Sequence, residues 1–190
     1  KGIVFEDLGI LNVLKENSIT VETIFYGTHG VCSSYTANSL LNDVDTVILS
    51  NDITKEEIDE ILVRVTKKVG LMIFGHLPYM YSRRTLLTNY SEHFKLEKKK
   101  KRIVKEQFSK QEFLVVEDEF GTMFYDPLVF DGRVLLNKDV SYFLVDLRFE
   151  HVSSIKQFMQ DFLTGNTIPN TTDGFLCRKT IYRLPPKGGV

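Results

Sequence analysis

The chain has 190 residues, which is enough for one domain with a hydrophobic core and short for two. Its hydrophobic fraction of 43% and charged fraction of 26% are those of a globular protein and exclude a disordered chain. The formal net charge of −1 gives no field that would attract nucleic acid or a membrane surface. No apolar run reaches the roughly 18 residues of a membrane-spanning helix, and the first residues lack a signal-peptide pattern. We therefore expect a cytoplasmic protein without a membrane partner.

The two cysteines, Cys32 and Cys177, are far apart in the chain and have no metal-ligand spacing. They are predicted to be reduced thiols, and two thiolates are too few for an iron–sulfur cluster, which needs about four ligands. The sequence also lacks a glycine-rich phosphate loop, a zinc motif and a serine-hydrolase elbow. We therefore expect no metal and no other cofactor.

The first half of the chain alternates short apolar runs with helical patterns, which predicts a parallel sheet with right-handed crossovers. The predicted strands cover residues 2–5, 21–26, 45–49 and 71–74. Helices are predicted after the first three strands, at residues 10–14, at residues 35–41 and from residue 55. Thr54 and Glu57 have the spacing of a capping box at the start of the third helix. The end of this helix is expected at Lys67, Lys68 and Gly70.

After Tyr90 the pattern changes. A charged run at residues 95–102 predicts an exposed loop. Two apolar runs, at residues 113–116 and 122–125, flank an acidic turn that contains Gly121, and this predicts an antiparallel hairpin. The later elements expected from the same kinds of signal are a strand at residues 142–147, a helix that starts at Ser154 and a last strand at residues 175–182.

These elements predict an α/β fold: a partial TIM-type (β/α) barrel with an inserted antiparallel hairpin, since a complete barrel needs about 250 residues. An open doubly wound sheet is the alternative. One domain is expected, with residues 1–90 as the second part of a barrel, 91–130 as a charged loop and hairpin, and 131–190 as the last βα unit and tail. Because the chain starts at Lys1 directly on a strand, we expect that either a missing N-terminal half of the barrel or a second copy covers the open side.

Polar side chains follow most of the predicted strands, at the positions where βα folds gather their functional groups. They are Glu6, Asp7, Thr28, His29, Asn51, Asp52, His76, Asp146 and Arg148. Carboxylates and imidazoles suit acid–base work near neutral pH, and we predict catalytic roles for His76, Asp52 and Asp146. His76 is expected in a stiff turn before Pro78, at a strand end. The structural alternatives are that Asp52 begins the next helix and that Asp146 pairs with Arg148.

A basic run at residues 98–102 suits contact with phosphates, and so do Arg83 and Arg84. Runs of like charge are more often solvated loops than binding sites. RNA contact through this run therefore stays a hypothesis beside the loop interpretation.

Residues 74–90 read FGHLPYMYSRRTLLTNY. This stretch resembles the signature of the collagenase-like peptidase family U32, which has a His-Gly pair, a cysteine, a Ser-x-Arg or Ser-Lys-Arg step and a Leu-Leu-x-Asn-Tyr ending. Further agreement lies in the acidic hairpin at residues 117–122, in the strand that ends at Asp146 and in the closing segment at residues 173–182. The resemblance covers nearly the whole chain, which lacks the family's first strands.

The resemblance implies a barrel enzyme. Members of the family are named peptidases, while several are similar to proteins that hydroxylate a tRNA uridine or an rRNA cytidine. Relatives in quinone biosynthesis carry an iron–sulfur cluster held by four cysteines. The partners that the resemblance implies for this chain are therefore RNA or peptide.

The chain departs from the family signature at its reactive positions. Aligned on Gly75, the histidine of the signature falls on Phe74 and its cysteine falls on Pro78. The Arg-Glu pair that the family has after the third strand appears here as Asn51 and Asp52. A proline side chain offers neither a nucleophile nor a metal ligand. The part of the signature that is kept predicts substrate binding by Arg83, Arg84, Asn89 and Tyr90.

Two functions follow from the sequence, and they leave open whether the chain is an enzyme. One is a family enzyme that hydroxylates RNA or hydrolyses peptides without the usual cysteine and histidine. The other is a non-catalytic subunit that binds RNA or peptide and assists a related barrel enzyme. The lost cysteine and histidine favour the second function, whereas the kept arginines fit both.

Overall fold

The structure, a computed structural model, describes residues 1–149 and 152–179. The described residues form a mixed α/β protein, and no helix among them is both long and apolar enough to cross a bilayer. The strands are β1 (Gly2–Phe5), β2 (Glu22–Phe25), β3 (Thr46–Ile48), β4 (Lys68–Ser82), β5 (Lys101–Lys105), β6 (Glu112–Glu117), β7 (Thr122–Asp131), β8 (Tyr142–Val145) and β9 (Thr171–Thr172). The α-helices are α1 (Gly9–Glu16), α2 (Ser34–Leu40), α3 (Lys55–Leu62), α4 (Leu86–His93) and α5 (Val152–Thr164).

The chain divides into two compact units. Unit 1 comprises Lys1–Leu71, Asn137–Tyr142 and the described residues from Asp173 onward. Unit 2 comprises Met72–Leu136 and Phe143–Thr172. The strands of unit 1 pair in parallel and those of unit 2 pair mainly antiparallel, so each unit is described by itself.

Unit 1 contains the predicted parallel sheet, formed by β1, β2, β3 and the first residues of β4. Its register places Phe5 beside Phe25, Phe25 beside Val47, and Val47 beside Val69. All residues of β3 are buried, as expected for an apolar strand covered on both faces. The prediction of parallel strands alternating with helices is therefore confirmed for this part of the chain.

The predicted capping box of α3 is also present. The amide of Glu57 donates to Thr54 Oγ1 at 3.2 Å, and the amide of Thr54 donates to Glu57 Oε2 at 2.8 Å. The sequence also predicts that Lys67, Lys68 and Gly70 close this helix, and that prediction is wrong. The helix ends at Leu62, because Lys68 and Gly70 belong to β4 and pair with β3.

Strand β4 is much longer than the strand predicted at residues 71–74. It continues to Ser82, so the predicted turn around His76 is wrong. Pro78 lies inside the strand, where a proline removes a backbone donor. The strand tolerates it because its register with β7 shifts between His76 and Pro78 and again between Pro78 and Met80.

Unit 2 is built on an antiparallel sheet in which β4, β7, β6 and β5 are neighbours in that order. The predicted hairpin is confirmed as β6 and β7. Residues 95–100 are exposed, as the sequence predicts, but Lys101 begins strand β5. The sequence does not predict β5 or α4, since neither has a long apolar pattern.

The end of the described chain differs from expectation in three places. Helix α5 begins before Ser154, so the prediction that Ser154 starts the helix is wrong. Strand β9 lies in a segment expected to be turn, and pairs with β7 in parallel. Residues 175–178 form a turn and a bend instead of a strand, and the rest of the predicted last strand, residues 180–182, lies outside the described residues.

The outer side of β1 has no strand partner among the described residues of unit 1. Helix α1, which follows it, buries none of its side chains. Leu8, Val13 and Ile19 in and around this helix are each about half exposed. The expectation that a second copy or the missing half of a barrel covers this side stays a prediction.

Candidate functional site

The first three parallel strands of unit 1 end in polar side chains. Glu6 follows β1, Thr28 and His29 follow β2, and Ser50 and Asp52 follow β3. The carboxyl ends of parallel strands lie at one edge of a sheet, where βα folds place their functional groups. Hydrogen bonds join these five residues into one group, which we call the strand-end cluster.

A histidine–aspartate pair forms the centre of the strand-end cluster. His29 Nδ1 lies 2.5 Å from Asp52 Oδ2, and the Ser50 hydroxyl donates to the same oxygen at 3.0 Å. Because the carboxylate accepts the Nδ1 proton, Nε2 of the neutral ring is left with a lone pair. The His29 and Asp52 side chains remain 46% and 39% exposed, so the pair is accessible from solvent.

The loop that carries His29 is strained. Thr28 has a φ of +51°, which a β-branched residue rarely adopts. Its hydroxyl donates to Glu6 Oε1 at 3.1 Å, and its carbonyl accepts from the Ser50 hydroxyl at 3.1 Å. These bonds hold a conformation that costs roughly 1–3 kcal/mol, and such strain is concentrated at functional sites.

One of the two free thiols lies on the same loop. The Sγ of Cys32 donates to the carbonyl oxygen of His29 at 3.3 Å, and the residue is exposed. Cys177 is free and exposed as well. The loop therefore presents a thiol close in the chain to the imidazole of His29.

The three predicted catalytic residues do not share one unit. Asp52 belongs to unit 1, while His76 and Asp146 belong to unit 2. Asp146 is held by Arg148, whose Nε donates to both carboxylate oxygens at 3.0 and 2.9 Å. His76 is half-buried, and its Nδ1 lies 2.7 Å from the backbone oxygen of Asp126. The catalytic roles of these residues stay predictions.

Arg83 and Arg84 form an exposed turn between β4 and α4. Within the described part of the chain, neither guanidinium has a carboxylate partner. The Thr122 hydroxyl donates to the carbonyl of Arg84 at 2.7 Å and accepts from the amide of Leu86 at 3.0 Å. The backbone of the turn is therefore fixed while both cationic side chains remain free to meet an anion.

Asn89 and Tyr90, the other two predicted binding residues, lie on α4 next to this turn. Both are exposed. The ring of Tyr90 packs on that of Phe94, with centroids 4.8 Å apart. Their roles in substrate binding stay predictions.

A buried carboxylate that the sequence analysis does not single out caps α4. Glu117 accepts from the amides of Leu87 and Thr88 at 2.8 and 3.1 Å and from the Thr88 hydroxyl. Burial alone would raise the pKa of Glu117, but these hydrogen bonds and one from Thr122 outweigh it and lower the pKa. The signal in the sequence is a single acid at the end of the apolar strand FLVVE. We call Glu117 and Thr122 the α4 clamp.

Most of the basic run is neutralised by nearby acids. Lys98 pairs with Glu92 at 2.7 Å, and Lys99 pairs with Glu97 at 3.1 Å. Lys100 lies 3.9 Å from a Glu117 oxygen. This pairing weakens the field of the run and favours the interpretation as a solvated loop.

The family model described as peptidase family U32 matches residues 1–113. Since the match spans more than half of the chain, the chain belongs to peptidase family U32. No curated protein and no solved structure matches it. The matched residues include both the strand-end cluster and the turn of Arg83 and Arg84.

The chain does not fit the four-cysteine iron–sulfur cluster of the quinone-biosynthesis relatives. It contains two cysteines, Cys32 and Cys177, which cannot supply four thiolates. Among the described residues, no group of three or more His, Cys, Asp or Glu side chains could hold a metal ion. No step of the function proposed below therefore uses such a cluster.

Proposed function

We propose that the chain is a hydrolytic member of peptidase family U32 in which His29 acts as the general base and Asp52 orients it. The observation that carries the proposal is the 2.5 Å contact between His29 Nδ1 and Asp52 Oδ2 at the carboxyl edge of the parallel sheet. A carboxylate in this position fixes the ring and stabilises the imidazolium that forms when Nε2 takes a proton.

The proposed reaction is the hydrolysis of a peptide bond. Nε2 of His29 accepts a proton from water as the water oxygen bonds to the carbonyl carbon. The imidazolium then gives this proton to the leaving nitrogen as the carbon–nitrogen bond breaks, so one water and one peptide bond give an acid and an amine. Ser50 is buried and cannot reach a substrate, which leaves water or the exposed thiol of Cys32 as the attacking group.

The pair His29–Asp52 is a better acid–base candidate than His76 or Asp146. Arg148 occupies both carboxylate oxygens of Asp146, which disfavours proton transfer by that group. His76 is half-buried against an aromatic ring, whereas His29 is exposed and has a carboxylate partner.

Cleavage of fluorescein-labelled gelatin tests the proposal. His29→Gln is expected to lower the rate at least about 100-fold because it removes the base, and Asp52→Asn is expected to lower it because it removes the group that orients the ring. His93→Gln, which changes an exposed histidine of α4, is the matched control and should leave the rate unchanged. The proposal is wrong if the unchanged chain does not cleave gelatin or if His29→Gln cleaves it equally well.

The same assay separates the two attacking groups. If water attacks, Cys32→Ser should retain the rate, because the thiol takes no part in the reaction. If the thiolate attacks, this variant should lose activity while it keeps its fold, since a serine hydroxyl is a much weaker nucleophile.

A second candidate function is RNA binding, and the exposed, unpaired turn of Arg83 and Arg84 favours it. An RNA phosphate would meet two guanidinium groups on a fixed backbone, which is a favourable arrangement for anion binding. Hydroxylation of RNA, as in some relatives, becomes a reasonable activity for this chain only if such binding occurs.

Binding of total tRNA at several salt concentrations tests this second function. The double variant Arg83→Gln/Arg84→Gln should bind more weakly and reduce the slope of log affinity against log salt by about one to two. The matched double variant Lys98→Gln/Lys99→Gln changes two paired cations and should have a smaller effect. Absence of binding by the unchanged chain at low salt would exclude the RNA function.

The parallel strands of unit 1 also support the proposal of a partial (β/α) barrel. Strands β1, β2, β3 and β4 are parallel neighbours, and a helix lies between each consecutive pair in the chain. This is the repeating unit of (β/α) barrels and of doubly wound sheets alike. The position of the strand-end cluster at the carboxyl edge agrees with either architecture.

A further inference from the structure

Unit 2 contains a second group of aromatic and charged side chains that the proposed hydrolysis does not use. Its centre is the half-buried ring of Phe149. The rings of His76 and Tyr125 pack against it edge to face, with centroids 5.5 and 5.0 Å from that of Phe149. We call Phe149, together with the side chains of His76, Lys101, Tyr125, Asp146 and Arg148, the Phe149 cluster.

Two cations lie close to the Phe149 ring. Lys101 Nζ is 4.8 Å from the ring centroid, and the Arg148 guanidinium carbon is 5.9 Å from it. An aromatic ring attracts a cation, but two cations near one ring repel each other unless an anion lies between or beside them. The structure supplies one such anion, Asp146, which pairs with Arg148.

Lys101 differs from its neighbours in the basic run. Within the described part of the chain it has no carboxylate partner, whereas its neighbours Lys98, Lys99 and Lys100 each have one within 4 Å. The charge of one further acid, Asp118, also acts on Tyr125, and its carboxylate accepts from the amides of Phe120 and Gly121 at 2.8 and 3.1 Å. Among the six side chains of the Phe149 cluster, two are cations, Lys101 and Arg148, and one is an anion, Asp146.

The remaining polar groups of the cluster are suited to donating hydrogen bonds. Burial raises the pKa of Tyr125, so its hydroxyl stays protonated and can donate. His76 Nδ1 donates to the backbone oxygen of Asp126, and the ring packs against Phe149. Lys101 and Arg148 carry donors only. The Tyr125 hydroxyl and a lysine without a carboxylate partner, Lys101, therefore form a site suited to an anion.

We propose that the Phe149 cluster binds a phosphate group, either as free phosphate or as the phosphate ester of a small molecule such as a nucleotide. A phosphate group presents three oxygens and about two negative charges, which match several separate donors better than the two oxygens of a carboxylate do. Lys101 contacts the phosphate, Tyr125 donates to one of its oxygens, and the charge of Arg148 adds to the attraction. This site belongs to unit 2 and is independent of the hydrolysis proposed for the strand-end cluster.

Calorimetric titration with inorganic phosphate and with adenosine monophosphate tests the inference. The unchanged chain should bind at least one of them at millimolar concentration or below. Lys101→Gln should weaken this binding about 10-fold or more, because it removes the unbalanced cation. Stronger binding of the nucleotide would indicate a phosphate ester, and equal binding would indicate free phosphate.

The matched control is Lys99→Gln, which removes an exposed lysine of the same run whose charge is already paired with Glu97. This variant should bind as the unchanged chain does. Urea unfolding should show that both variants are as stable as the unchanged chain, since both side chains are exposed. The inference is overturned if neither ligand binds at millimolar concentration, or if Lys101→Gln and Lys99→Gln weaken binding equally.

Discussion

Glu117→Gln is expected to lower the free energy of unfolding by roughly 2–4 kcal/mol. The carboxylate is almost fully buried and accepts from the amides of Leu87 and Thr88 and from the hydroxyls of Thr88 and Thr122. A glutamine loses the charge and places an amide group among donors that need acceptors. Urea unfolding followed by circular dichroism measures the change.

Two further variants show whether the α4 clamp is the cause. Glu119→Gln removes an exposed acid of the same turn and should change the stability by less than about 0.5 kcal/mol. Thr88→Val removes one hydroxyl donor but keeps the carboxylate, and should cost about 1–2 kcal/mol. If Glu119→Gln were as destabilising as Glu117→Gln, the effect would come from the net charge of the hairpin instead of the clamp.

The effect of Glu117 should depend on pH in a defined direction. Folding lowers the pKa of Glu117 from its ordinary value of 4.5, so the folded chain favours the ionised form. This stabilisation is fully present above pH 4.5 and is lost as the pH falls through the lowered pKa of the folded chain. The difference in unfolding free energy between the unchanged chain and Glu117→Gln should therefore shrink as the pH falls below 4.5. A difference that grew on acidification would contradict this assignment.

Local signals in the sequence predict much of unit 1. The capping box of Thr54 and Glu57 involves residues three positions apart, and the apolar strands β1 to β3 are short and continuous. Strand β4 is not predicted at its full length because Pro78 is a local signal that ends strands. Only the pairing with β7, about 50 residues later in the chain, shows that a bulge accommodates it.

The candidate site could be predicted in part, because the order of strands and helices is predictable whereas individual long-range contacts are not. The topology of parallel strands implies that the residues after β2 and β3 meet at one edge, so the neighbourhood of His29 and Asp52 follows from the sequence. That Asp52 binds His29 depends on the strained turn at Thr28, which no local pattern indicates. Glu117 caps α4 by binding the amides of Leu87 and Thr88, which precede it in the chain by 30 and 29 positions. The sequence shows only an isolated acid at the end of a strand.

Gly121→Ala is expected to be the other strongly destabilising change, by on the order of 3–5 kcal/mol, because strain and a steric clash act together. Gly121 has a φ of +149°, a conformation that residues with a side chain rarely adopt. A Cβ there would lie 2.2 Å from the carbonyl oxygen of Ser82 and 3.0 Å from the Cα of Arg83. Both contacts are with backbone, so the turn that carries Arg83 and Arg84 would have to move.

Gly165→Ala provides the matched control, since it separates the two causes. Gly165 also has a positive φ, +77°, but a Cβ there meets nothing within 4 Å. It should therefore cost only the backbone strain, about 1–2 kcal/mol. If RNA binds at the turn of Arg83 and Arg84, Gly121→Ala should also weaken tRNA binding at low salt because it displaces this turn, whereas Gly165→Ala should not. Equal loss of stability in both variants would show that the close approach of Gly121 to Ser82 contributes nothing, because backbone strain alone would then account for both.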